Sequence, residues 1–456
     1  MVVAAATITA AEQYMLELVN RARLDPNAEA TRLGISLNQG LTANTLGAEV
    51  RQVLAPNEKL ESAAIAHSQW MLAADVFSHT GSGGSTPGQR ATAAGYVWNA
   101  AGENIAWQGS TAAINMNTMI AAHHDALFKS APHRQNILQN AFREVGIAQE
   151  KGLFQQGSTN FNASMVGQLF GKSGQNVFVT GVAYSDSDLN RFYTIGEAKA
   201  GITMSAQGVA DTTETAGGYA LSLAGGSSVE VTGKVGETAL FTATVGLDGG
   251  NVKLDVVDNK TLYTSGDITL GTGINNARLL GMAALDATGN EASNIISGNK
   301  GANILVGGGG NDTMTGGAGI DSVFGGEGND SIYGGTNNDL VSGGAGNDFV
   351  YGGAGSDRMD GGAGADFLRG GTEVDAFIFQ NGCGADTIAD FSVAGRESLV
   401  FDDALWGGAT LTKAQVVSQF AHVVSGVVVF NFGDGDTVKL TGVTSLTGLS
   451  ALVEII

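Results

Sequence analysis

Gly343-Gly344-Ala345-Gly346-Asn347-Asp348-Phe349-Val350-Tyr351 is followed at once by Gly352-Gly353-Ala354-Gly355-Ser356-Asp357-Arg358-Met359-Asp360. The two nonads share a glycine pair, a third glycine, an aspartate and a buried-type apolar residue in one phase. Outward from them the phase holds. The aspartates are Asp312, Asp321, Asp330, Asp339, Asp348, Asp357, Asp366 and Asp375, with Asn303 and Asn294 upstream. The apolar residue two places on is Ile296, Leu305, Met314, Val323, Ile332, Val341, Val350, Met359, Leu368 and Phe377. A fixed short period fixes an architecture. The glycines allow tight turns at positive φ, and the residues between turns suffice for a short strand. Two nonads per coil give a parallel β-roll with one apolar column under each sheet.

Aspartates 18 residues apart then stack, Asp312, Asp330, Asp348 and Asp366 on one side and Asp321, Asp339, Asp357 and Asp375 on the other. Stacked carboxylates repel unless a hard cation lies between coils. Carboxylate and carbonyl oxygens in flexible geometry suit Ca²⁺. The first glycines of the pairs, Gly307, Gly316, Gly325, Gly334, Gly343, Gly352 and Gly361, are assigned to the same calcium sites. The third glycine is replaced at Asn337 and Glu373. Asn294, Asn303 and Lys300 predict that the first turns bind calcium weakly or not at all. The pattern resembles the RTX (repeats-in-toxin) nonapeptide G-G-x-G-x-D-x-U-x.

The 456-residue chain has room for several domains. Its net charge is −21, of which the segment 289–378, with twelve acidic and three basic residues, contributes −9. This disfavours nucleic acid and anionic membrane as partners and favours cations. The single cysteine, Cys383, rules out an intrachain disulfide. No apolar run is long enough for a transmembrane helix. The stretch 1–11 lacks Lys and Arg, so no cleavable leader is expected there.

The domain expected at 8–175 opens on Thr9-Ala10-Ala11-Glu12, a capping box. A helix follows to Asp25-Pro26, with further helices at about 58–76 and from beyond Ser110 to Phe128. Strands are expected at 144–149, 164–170 and 177–184. Five of the six histidines fall between 67 and 133. His79, Glu103 and His133, from separate elements, can converge on a cleft for metal binding or acid–base chemistry. His67 reads as a structural hydrogen-bonder, and Arg143 and Glu144 as a local ion pair or strand surface. The run Phe77-Ser78-His79-Thr80-Gly81-Ser82, Pro87…Arg90, Gly95-Tyr96, Gly102-Glu103-Asn104-Ile105-Ala106 and Pro132-His133-Arg134…Asn136-Ile137-Leu138 resembles the CAP (cysteine-rich secretory protein, antigen 5, pathogenesis-related 1) superfamily in a cysteine-free form. The resemblance implies an α-β-α sandwich with two His and two Glu around a cleft that can bind Zn²⁺. His79, Glu103 and His133 fall on three of these positions. The second Glu has no counterpart by motif, and His124 and Asp125 lie nearest. The family is one of secreted recognition modules, some binding sterols or lipids, rather than of hydrolases.

For 176–286 short strands between glycine turns predict a small β-sandwich, similar at its opening to the SdrD B-like modules of cell-surface proteins, acting as a spacer. Asp186, Asp188, Asn190 and Glu197, with the Phe192 carbonyl, stand at the oxygen positions of a twelve-residue calcium loop. Arg191 replaces the expected glycine. The β-roll is placed at 287–378 and its C-terminal β cap at 379–456. The end of that cap resembles the uncleaved signal of substrates of type I secretion ABC transporters.

Together these features predict a multidomain protein exported unfolded from a Gram-negative bacterium, without a cleavable N-terminal signal. It would fold on extracellular calcium and carry a CAP domain that binds a lipid, sterol or cell-surface ligand. The alternatives are a metal-assisted hydrolase in the cleft and a calcium-organised surface or matrix protein.

Overall fold

The computed structural model describes residues 8–456, so residues 1–7 of the leader expectation lie outside it. The chain forms two compact units, one ending at Gly266 and the other running from Asp267 to Ile456.

The first unit begins with α1 (Ala10–Leu24) and α2 (Pro26–Arg32). Thr9 caps α1 with a reciprocal Glu12 capping box, and Pro26 opens α2. β1 (Ala55–Pro56), α3 (Glu58–Ala74), α4 (Pro87–Ala93), β2 (Ala100–Ser110), α5 (Met116–Lys129), α6 (Ala131–Ile137), β3 (Glu144–Gln156) and β4 (Thr159–Lys172) complete an α-β-α sandwich. The sheet order is β1-β3-β4-β2, antiparallel except for β1 with β3. β4 is buried from Ala163 to Gly171 because helices cover both faces. On one face α1, α5 and α6 pack through Met15, Val19, Ile120, Phe128 and Ile137 onto Val166 and Phe170. On the other, α3 packs through Leu60 and Ala64 onto Ala148 and Leu169. Gly146 permits this approach, since a Cβ there would lie 2.0 Å from the Glu61 amide nitrogen.

The same unit continues into β5 (Val177–Tyr184), β6 (Thr203–Ala206), β7 (Val209–Thr212), β8 (Gly218–Leu223), β9 (Ser228–Val235), β10 (Thr238–Gly246), β11 (Val252–Val257) and β12 (Thr261–Thr264). They form two layers, hydrogen-bonded in the orders β8-β5-β11-β12 and β7-β6-β9-β10. This module is welded to the sandwich by buried polar contacts. Asn251 Nδ2 donates to the carbonyls of Val53 at 2.9 Å and Arg143 at 2.7 Å, and Lys253 reaches Glu17 on α1.

The second unit is a parallel β-roll. Stacking begins at Ile268–Leu270, which pairs with Ala287–Thr288, ahead of the first glycine pair. The first steps are 19 residues, Ile268 pairing with Ala287 and Asn276 with Ile295, and the following strands pair 18 residues on: Ile296 with Met314, Met314 with Ile332, and Val323 with Val341. The two apolar columns are fully buried from Ile296 to Phe377. The step then lengthens, Leu368 pairing with Ile388 and Phe377 with Leu399. Strands Val427–Gly433 and Asp436–Leu440, a helix at Lys413–Phe420 and a last strand Val453–Ile455 against Ser398–Phe401 close the end. Such a cap keeps the terminal coil from exposing its column. No helix among the described residues is long and apolar enough to cross a membrane.

Candidate functional site

His79, Glu103 and His133 are brought together in the α-β-α domain. His79 follows α3 on a loop, Glu103 lies on β2 and His133 on the short α6. His79 Nδ1 hydrogen-bonds Glu103 Oε2 at 2.9 Å, and the rings of His79 and His133 stand 6.4 Å apart. His79 is exposed, Glu103 is buried and His133 is half-buried. Burial first, and then the neighbouring His79, lowers the pKa of His133. Ser130 Oγ lies 2.9 Å from His133 Nδ1, and Asn104 Nδ2 donates to the His133 carbonyl at 3.1 Å. Asn136 Nδ2 donates to the Glu103 carbonyl and to Asn104 Oδ1.

Sequence reasoning gave Arg90 no role, yet it organises the cleft. Its guanidinium donates to Glu103 Oε1 at 2.5 Å and to the carbonyls of His79 and Ser85. The only signal was its place in the motif run. The Glu103 side chain thus takes His79 and Arg90, with no loop amide among its partners. His67 is held by the Ser78 carbonyl at 2.9 Å, with Glu103 3.9 Å away, as a structural histidine. His124 and Asp125 do not supply a second acid. They belong to a network in which Glu29 meets His124, Arg21 and Arg32, and Arg32 also meets Asp125. Glu144 departs from the expected surface or ion-pair role. It is buried and accepts from Tyr96 Oη, Asn57 Nδ2 and Ser173, while Arg143 bonds the carbonyls of Asn176 and Gly249.

Among the described residues, two groups of three bring ligand atoms within 4.8 Å of one another: Glu29, His124 and Asp125, and Asp186, Asp188 and Glu197. The first is already neutralised by two arginines. The second is the expected calcium loop. Arg191 there adopts φ +62°, the conformation a glycine would take. Its amide bonds Asp186, while the amides of Ser187, Asp188 and Thr194 bond Glu197. Three converging carboxylates without a basic partner fit a hard cation. Asn190 Nδ2 braces Asp188 at 2.8 Å.

On the β-roll each aspartate divides its two oxygens. Oδ1 accepts the amide of the residue one coil earlier: Asn294 to Asp312 at 2.8 Å, Asp312 to Asp330 at 2.7 Å, Asp330 to Asp348 at 2.8 Å, and Asp348 to Asp366 at 2.8 Å. The other side repeats this from Asn303 through Asp321, Asp339 and Asp357 to Asp375. Oδ2 of all eight is buried without a partner. Burial raises their pKa values, Asp312, Asp321 and Asp375 to about 6 and Asp339 and Asp348 to about 7. Gly307 leaves the space into which Oδ2 points, since a Cβ there would lie 2.1 Å from Asp312 Oδ2 and 2.3 Å from the Gly325 carbonyl oxygen. A buried acceptor left bare is costly, and a cation coordinated by Oδ2 and turn carbonyls removes that cost. The residues present therefore fit calcium.

Asp386 extends the ladder and was not foreseen, because its offset from Asp366 is 20 residues. Its Oδ2 is also orphaned, and burial lifts its carboxyl to about 8. At the other end Asn294 and Asn303 occupy the aspartate position. Their Nδ2 atoms donate to the carbonyls of Asn275 and Leu285, each at 2.7 Å. Asn290 and Asn299 likewise bond carbonyls one coil back. An amide proton there meets the carbonyl that a cation would meet further along. Asn337 and Glu373 adopt φ +81° and +72° in place of the third glycine.

Residues 16–156 match the model of the cysteine-rich secretory protein family (CAP). The RTX calcium-binding nonapeptide repeat matches in four copies, at 288–323, 315–350, 333–368 and 342–375. The chain thus carries a CAP domain and a block of RTX repeats. No curated protein matches it. Among solved structures, an outer surface protein of Borrelia burgdorferi is similar at 16% identity and TM-score 0.25, over 37% of this chain and 97% of that one. An extracellular protein containing an SCP domain from Bacillus anthracis is similar at 21% identity and TM-score 0.21, over 37% and 45%. The extracellular lipase of Serratia marcescens is similar at 17% identity and TM-score 0.20, over 42% and 42%.

Proposed function

We propose that the RTX repeats fold on calcium outside the cell and deliver the CAP domain as a binding module for a lipid, sterol or cell-surface ligand. The carrying observation is the row of buried, partnerless Oδ2 atoms from Asp312 to Asp386. Asp312, Asp321, Asp330, Asp339, Asp348, Asp357, Asp366 and Asp375 would hold calcium with turn carbonyls, and the ion supplies the positive charge that lets stacked carboxylates coexist. Ligand that binds only the native state stabilises it by mass action. Where calcium is scarce the roll stays open, which suits passage through a type I ABC transporter. Where calcium is millimolar it closes. Asp186, Asp188, Asn190, Glu197 and the Phe192 carbonyl would hold a further ion in the first unit.

Within the CAP cleft, binding is favoured over hydrolysis. Arg90 occupies one Glu103 oxygen and His79 the other, so the buried Glu103 carboxylate is not free to act as a general base. His79 and His133 remain open to a Zn²⁺ ion that recruits its other ligands from water or from a bound molecule.

The test is calcium titration of chelated full-length protein, followed by circular dichroism and limited proteolysis. Millimolar calcium should raise the β signal and protect residues beyond Asp267. An unchanged spectrum and digest would refute the proposal. For export, removing 437–456 should trap the chain inside the cell, and secretion of the shortened form would refute that role.

A further inference from the structure

A second cavity of about 460 Å³ lies in the first unit, between the start of α3 and strands β7 and β8. Its volume lies in the range of small-molecule sites. Tyr96, Tyr219 and Phe178 give it apolar walls, and Glu58, Glu61, Asp211 and Glu214 face it against the single basic side chain of Lys59.

Hydrogen bonding makes the lining acceptor-rich. Apart from the Lys59 ammonium, its side-chain donors are committed. Tyr96 Oη donates to Glu144, Tyr219 Oη to the Leu254 carbonyl, Asn57 Nδ2 to Glu144, and Gln13 Nε2 to Glu17. The first amides of α3, Lys59 and Leu60, go to Asn57 Oδ1. Two acceptors remain. Glu61 Oε1 and Gln13 Oε1 have no partner, and their residues are only 5% and 1% exposed. Gly218 leaves the floor open at Gln13, because a Cβ there would come within 2.2 Å of Gln13 Oε1. Unpartnered buried acceptors are rare in native proteins and call for an explanation.

We propose that this cavity binds a linear aliphatic amine, a diamine or polyamine, whose ammonium N–H groups reach Glu61 and Gln13 while its methylenes lie against Tyr96, Tyr219 and Phe178. A single metal ion does not fit, because the acids facing the cavity are not among the groups of described residues that bring three ligand atoms within 4.8 Å. Spread carboxylates match spread ammonium charges. A quaternary ammonium lacks the N–H groups that both acceptors require. Burial, and then the nearby Glu12, Glu214 and Glu58, raise the Glu61 carboxyl to about 8; the negative field of those neighbours favours a cation, and an ammonium set against Glu61 returns it to the ionised form. The site is separate from the cleft and from the calcium ladder, and stands or falls apart from them.

The experiment is calorimetric titration of calcium-saturated full-length protein with spermidine, with tetramethylammonium as the comparison. Spermidine should bind, and Glu61→Gln should weaken it about tenfold or more, the scale of a lost charged hydrogen bond. Glu214→Gln, at an exposed position, should weaken it less without touching the fold, and it carries the test should Glu61→Gln misfold. No spermidine heat, uptake unchanged in both variants, or equal affinity for tetramethylammonium would each overturn the proposal.

Discussion

Lys253 on β11 donates its ammonium to Glu17 on α1 and, at 2.5 Å, to Asp255, and all three side chains are buried. Burial alone would lower the lysine pKa, but Asp255 and Glu17 hold it above the ordinary value. The β module after the CAP sandwich is therefore joined to it through a charge triad within one compact unit. Removing one member strands the others. Lys253→Met should destabilise the first unit by ~3–5 kcal/mol, read as an earlier thermal transition in calcium. Adding Glu17→Gln to that variant should recover part of the loss, because one uncompensated charge disappears. A silent Lys253→Met would mean that the triad does not couple the two layers.

The ladder aspartates carry a pH prediction. Their folded-state pKa values lie above the ordinary carboxylate value, several at about 6 to 7. The folded roll thus binds protons more readily than the unfolded chain. Its metal-free stability is fully present below the ordinary aspartate pKa and is lost as pH rises through about 6 to 7. Chelated protein should gain β signal on acidification from pH 7.5 to 5, in the absence of any metal. With calcium bound the carboxylates are ionised by the cation, so the acid dependence should reverse. Circular dichroism across pH, with and without calcium, reads both limbs.

Much of this was legible because the nonad period is local: each Asp, glycine pair and apolar residue announces its place within nine positions. The capping box at Thr9 and Glu12 was legible for the same reason. His79, Glu103 and His133 could be named from motif runs, but their approach depends on a loop, a strand and a helix far apart in sequence. Arg90 was invisible as an organiser because nothing near it in the chain points to Glu103. Asp386 was missed because the coil lengthens by two residues before it, and Glu144 because one residue at a strand start does not reveal the tyrosine that will cover it. The fusion through Lys253 and Glu17 lies 236 positions apart and leaves no local trace.

Gly307 tests the shape of the calcium cavity. Its φ is not in the left-handed region, so an alanine is excluded by space alone, 2.1 Å from Asp312 Oδ2. Gly307→Ala should move the calcium midpoint of folding to higher concentration and reduce calcium uptake. Gly174→Ala, with nothing within 4 Å of the added carbon, should leave both unchanged. Equal behaviour of the two variants in a calcium titration would show that the space beside Asp312 Oδ2 is not where the ion sits.

The asparagines at the start of the roll show how a coil can close without metal. Asn294 Nδ2 bonds the Asn275 carbonyl directly, whereas Asp312 leaves Oδ2 bare. Asp312→Asn keeps an oxygen for the Asn294 amide and replaces the bare acceptor with a donor. It should therefore lower calcium uptake while making the chelated chain more resistant to protease near that coil. Asp312→Ala removes the acceptor for the Asn294 amide as well, and should weaken the roll with and without calcium, by about 1–3 kcal/mol for the buried N–H left unpaired. The contrast separates the two tasks of the aspartate, capping the previous coil through Oδ1 and holding the ion through Oδ2. Should both variants behave alike in chelator, the carboxylate would have only one task there, and the amide-closed coil would not explain how the first turns stand without calcium.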